Sequence, residues 1–158
     1  MNKIRYFVDK LTEALACVIL ALMTILVTWQ VFTRFVLKNP STITEALAKY
    51  LFVWLVLVTA AYVIGKREHM ALEFFISRFS LKTRLVCGII SEIVIFVFVS
   101  IVLVYGGGYI ALHAMNQMDS ALPVPVGIVY LALPVGGVLS AFYSLCNIID
   151  LSKKFNNK

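Results

Sequence analysis

One acid lies deep in an apolar run. Glu92 stands in "IISEIVIFVFVSIVLV" (89–104), where nothing else ionises. At 1.5 Å per residue, the seven residues from Leu85 place it roughly 10 Å along a helix. Two chemistries suit such a group. It can couple a proton or an ion to transport, or it can pair with a basic group of a neighbouring helix or subunit, or reach toward the interface. A single acid does not make a translocation path, which favours the pairing role. Gln30 and Arg34 are a second candidate pair. They are four residues apart, hence on one helical face, and suit hydrogen bonding to lipid headgroups or to a partner helix. An arginine snorkelling from a span end has the same pattern.

The other reactive residue types are poorly placed. His69 and His113 are the only histidines. Cys17, Cys87 and Cys146 are scattered in apolar stretches without CxxC or metal-ligand spacing, and read as small packing residues. HExxH, GxSxG, P-loop and GxGxxG patterns are missing. "GGG" (106–108) lacks the strand and helix context of a phosphate cradle and reads as a loosened helix or a close helix contact. These patterns predict no enzyme, no cofactor and no metal.

The elements that must position these residues follow from composition. Of 158 residues, 61% are hydrophobic and only 14% charged, with mean hydropathy +0.94. Soluble domains carry about 45–50% apolar and about 25% charged residues, so the solvent for this chain is lipid. The expected fold class is an all-α integral membrane protein in a single membrane domain, 1–158. It has four transmembrane helices at about 12–36, 43–65, 84–110 and 126–150. The first apolar run is too long for a signal h-region and reads as a retained anchor. Net charge is +6, but the basic residues flank apolar runs, which argues against nucleic acid.

Between the second and third spans, Leu72, Phe75, Ile76 and Phe79 share one stripe at 100° per residue. This predicts a short amphipathic interfacial helix at about 69–80. "NPST" (39–42) breaks the chain after the first span. Thr42 and Glu45 have capping-box spacing, and Glu45 and Lys49 have the spacing of a favourable helical pair. Pro123 and Pro125 predict an extended, stiff entry to the fourth span. Pro134, about two turns inside it, predicts a kink, with Gly136 and Gly137 letting another helix approach. Eleven basic residues fall in the termini and the 66–84 connection, against three (Arg34, Lys38 and Lys49) on the other side. The asymmetry predicts that both termini are cytoplasmic. His69 and His113 then lie on opposite sides and cannot form one site.

Four stretches occur in a recognisable order and spacing: "WQVFTRFVL" (29–37), "EALAKYLFVWLV" (45–56), "EH" (68–69) after a basic pair, and "SALPVPVGIVYLALPVGG" (120–137). Over nearly its whole length the chain resembles the small membrane subunit (DctQ-like, Q-type) of tripartite ATP-independent periplasmic (TRAP) transporters. It departs from the family in having a less acidic segment before the second span and "MALEFF" after "EH".

The resemblance implies a bacterial inner-membrane scaffold with four spans and an interfacial helix. Its partners would be a large multi-span, elevator-type subunit that binds substrate and sodium, and a periplasmic substrate-binding protein. The substrate would be an organic acid, of the sialic acid or C4-dicarboxylate class. Gln30, Arg34, Lys38, Asn39, Glu92 and Asp119 are the candidate contacts to these partners or to membrane phospholipid. Two alternatives are a self-sufficient proton-coupled exporter using Glu92 and a structural membrane assembly protein.

Overall fold

The computed structural model describes residues 2–39, 41–66 and 81–156. The expected interfacial helix at about 69–80 lies outside these residues, as does His69. The described chain is helical, with an isolated bridge between Met118 and Pro125. Its elements are α1 (Asn2–Phe35), α2 (Thr42–Lys66), α3 (Leu81–Phe98), a π-helical segment (Val99–Gly106), α4 (Gly107–Ala114), α5 (Gly127–Tyr130) and α6 (Ala132–Asn156). Four helical stretches among the described residues are long and apolar enough to cross a membrane: Lys3–Phe35, Thr42–Lys66, Leu85–Ala114 and Gly127–Phe155.

The first helix begins about ten residues before its apolar run. Hydropathy marks where lipid is tolerated, whereas helix formation continues through Lys3, Arg5, Lys10 and Glu13, whose unbranched side chains suit a helix. At 34 residues, α1 is about 51 Å long against a hydrocarbon core of about 30 Å. Its far end is closed by Lys38, the one non-glycine residue with positive φ (50°) among the described residues. The Asn39 N–H reaches back across it to the Thr33 carbonyl at 3.2 Å, satisfying one of the last open acceptors.

The second helix is capped one residue earlier than its spacing suggests. Helix α2 already includes Thr42, and Ser41 is the cap: its Oγ accepts from the Thr44 N–H at 3.5 Å. Glu45 therefore has no capping-box role and instead accepts from Lys49 Nζ at 2.7 Å.

The third span widens to π geometry for eight residues, ending on the first of the three glycines. The fourth is interrupted at Leu131, between α5 and α6. Pro134 is thus the third residue of α6, where a missing N–H is tolerated, and bonding resumes at once from the Val135 N–H to the Leu131 carbonyl at 3.2 Å.

Helix α6 is the hub. It packs against α2 on one side and against α3 and the π segment on the other, while α1 packs chiefly on α2. The fourth span is accordingly the most buried of the four and the first the least. Gly136 and Gly137 make the close approaches. A Cβ on Gly136 would stand 3.0 Å from Leu57 Cβ, and one on Gly137 would stand 2.9 Å from Leu103 Cβ. Val58, Ala61, Val99, Ala132 and Tyr143 fill the core between these helices.

Candidate functional site

Polar residues recur on α6 as Ser140, Ser144 and Asn147, at i, i+4 and i+7, so they form one stripe on an otherwise apolar helix. The stripe faces inward. Ser144 and Asn147 are fully buried and Glu92 is 5% exposed. The one Ser144 O–H is shared between the Glu92 carbonyl (2.8 Å from Oγ) and its Oε2 (2.9 Å). Asn147 Nδ2 donates to Glu92 Oε1 at 3.0 Å and to the Ile64 carbonyl at 2.9 Å. Arg5 enters from α1. Its Nη2 donates to Asn147 Oδ1 at 3.1 Å and to the Gly65 carbonyl, while Nη1 pairs with Asp150 Oδ2 at 2.8 Å. One network therefore ties α1, α2, α3 and α6 together near the end that holds both termini. Next to it, the buried Tyr143 ring covers Gly65, and its hydroxyl donates to Thr12 Oγ1 at 3.4 Å.

Glu92 is thus turned into the helix bundle. In a medium that offers no water, an acid is tolerated where side chains of adjacent helices donate to it. Arg5, Ser144 and Asn147 were not legible as site residues from their types alone. The available signal was the polar periodicity of the fourth span, together with an arginine placed early enough in α1 to reach it.

The opposite end carries the remaining candidates. Gln30 is half-buried, while Arg34, Lys38 and Asn39 are exposed at the end of α1. The Arg34 guanidinium lies 5.9 Å from the centroid of the Phe35 ring. Asp119 organises the connection between the third and fourth spans. Its Oδ1 accepts from the Ala121 N–H (2.7 Å) and the Leu122 N–H (3.0 Å), and its Oδ2 accepts from the Tyr50 hydroxyl of α2. The Asp119 N–H donates to the Val124 carbonyl and the Val126 N–H to the Gln117 carbonyl. Pro123 and Pro125 therefore sit in a pinned turn joined to the second span. Among the described residues nothing joins Asp119 to Gln30 or Arg34 directly, so these candidates occupy one end without forming one cluster. His113 Nδ1 lies 2.9 Å from the Tyr109 carbonyl, and its ring lies against Tyr109 at a tilt of 38°.

The Tyr50 hydroxyl, followed by the Ala121 N–H, holds the Asp119 carboxyl below the usual carboxylate range. A lowered folded value means that the tether is complete above the unfolded value, about 3.9, and is lost as pH falls through the folded one. Tyr50→Phe should move that loss to higher pH. Amide exchange of Ala121 and Leu122, followed between about pH 3 and pH 6, should accelerate earlier on acidification than in the parent protein. Identical profiles would show that the hydroxyl does not hold the carboxylate.

Four apolar spans gathered on one hub helix, with a buried polar network between them, define a multi-pass helical membrane protein. Residues 23–154 match the family described as "Tripartite ATP-independent periplasmic transporters, DctQ component". The chain belongs to that family: it is a small permease component of a TRAP transporter, a multi-pass protein of the inner membrane. Such components work with a large membrane subunit and a substrate-binding protein. The chain is 29% identical over 153 residues to the "Sialic acid TRAP transporter small permease protein SiaQ" of Vibrio cholerae, covering 97% of this chain and 88% of the relative. It is 25% identical over 151 residues to a "Putative TRAP transporter small permease protein" of Haemophilus influenzae, covering 95% and 92%.

Proposed function

We propose that this chain is the fixed scaffold of a sodium-coupled uptake system for an organic acid of the sialic acid or C4-dicarboxylate class. In this reading it braces a large elevator-type subunit and helps to seat the periplasmic substrate-binding protein. The observation that carries the scaffold role is the engagement of Glu92 by Ser144 and Asn147. The acid that would serve transport in a self-sufficient exporter serves here to join helices. The sialic acid relative supports that substrate class, and sodium and substrate sites belong to the large subunit. Both termini face the cytoplasm, so Arg34, Lys38, Asn39 and Asp119 face the periplasm.

Co-purification tests the scaffold role. A stable one-to-one complex with a much larger multi-span protein is expected, and a homodimer without such a partner would overturn it. Reconstitution of this chain alone tests the exporter. Proton-driven transport that disappears in Glu92→Gln would establish that rival. The docking role has its own test. Arg34→Glu with Lys38→Glu should weaken affinity for the substrate-binding protein about tenfold while leaving the membrane complex intact, since rim charges act mainly on encounter. Unchanged affinity and uptake would remove these residues from the docking surface.

A further inference from the structure

The ends of α1, α2 and α6 that lie beside the termini enclose a cleft of about 460 Å³, lined by Arg5, Asp9, Lys66, Asp150, Lys153 and Lys154. Arg5 and Asp150 neutralise each other at 2.8 Å. That leaves Lys66, Lys153 and Lys154 facing Asp9. Two helix C-termini add about half a negative charge each there, which together with Asp9 is less than the three lysines supply. The cleft is therefore net positive. The Lys66 ammonium is held 5.1 Å over the Tyr62 ring, so at least one cation is pre-positioned. One helical turn further into the spans, Val63 below Lys66 and Ile149 below Lys153 are 39% and 40% exposed, offering apolar surface next to the charge.

A cationic cleft beside exposed apolar side chains, at the end of a membrane-spanning bundle, fits an amphiphile with an anionic head. We propose that this cleft binds the phosphate group of an anionic phospholipid, with Lys66, Lys153 and Lys154 as its donors and the acyl chains along Val63 and Ile149 at the ends of α2 and α6. The site rests on the membrane-spanning architecture alone and is indifferent to the transporter's substrate or partners.

The full-length protein, purified in detergent and stripped of lipid, tests this by native mass spectrometry with added phosphatidylglycerol or phosphatidylcholine. Phosphatidylglycerol should be retained at least about tenfold better, given the attraction expected per lysine near a membrane surface. Combined Lys66→Gln, Lys153→Gln and Lys154→Gln should erase the preference. Lys3→Gln with Lys10→Gln, at the same end but outside the cleft, should preserve it. Asp9→Asn should strengthen retention, and this variant serves even where the triple substitution fails to fold. Equal retention of the two lipids, equal loss in both lysine variants, or no gain from Asp9→Asn would overturn the site. Thermal protection by glycerol phosphate as strong as that by phosphatidylglycerol would overturn the assignment to a lipid in favour of free phosphate.

Discussion

Asn147→Leu should lower the thermal midpoint of the purified protein by roughly 6–12 °C, at about 2–4 °C per kcal/mol for a chain of this size. Asn147 joins three elements: it donates to the Ile64 carbonyl and Glu92 and accepts from Arg5. Hydrogen bonds between membrane helices contribute about 0.6 kcal/mol each. The larger cost is in what remains, since each buried polar group stripped of a partner forfeits about 1–3 kcal/mol. The sum is on the order of 3 kcal/mol. Glu92→Gln should shift the midpoint far less, by under about 3 °C, because an amide can still accept from Asn147 and exchange a hydrogen bond with Ser144. Thermal unfolding followed by size-exclusion chromatography separates the two. A variant Asn147→Leu that melts with the parent would show that the network does not hold the helices together.

Gly127→Ala should be nearly as damaging, although it adds one methyl group. Gly127 opens α5, and a Cβ there would lie 2.7 Å from both the Ala111 carbonyl oxygen and the Met115 nitrogen. Both are backbone atoms at the end of α4, so no side chain can rotate away. Overpacking costs about 1–3 kcal/mol, and an immovable neighbour places this site at the upper end. The connection from Met115 to Val126 should loosen, raising amide exchange at Asp119 and Val126, whose N–H groups now bond across it. Gly108→Ala is the control, since a Cβ at Gly108 meets nothing within 4 Å. Matched exchange and stability in the two variants would mean that the α4–α5 contact is looser than drawn.

How much of this was readable beforehand depends on the range of the interaction. Glu45 with Lys49 is a pair set by one helical turn, and its spacing sufficed. The helix cap moved by one residue because Ser41 and Thr42 are both capping types, and the backbone path selects between them. The π geometry after Phe98 had no local signature beyond the glycines at its end. The breaker at Pro134 was visible, but not that the ladder would part at Leu131 and leave the proline in the first turn of α6.

The residues alone determine that this chain lives in lipid, since no water-soluble fold could hide so much apolar surface. They also determine the four spans, because a helix is the one local way to satisfy backbone polar groups there. Which helix becomes the hub, and that Glu92 meets Ser144 and Asn147 while Arg5 reaches Asn147 and Asp150, was decided by tertiary structure. Those partners are 52 to 145 residues apart, and spacing along a helix carries no information about a neighbour that only packing brings into hydrogen-bond reach.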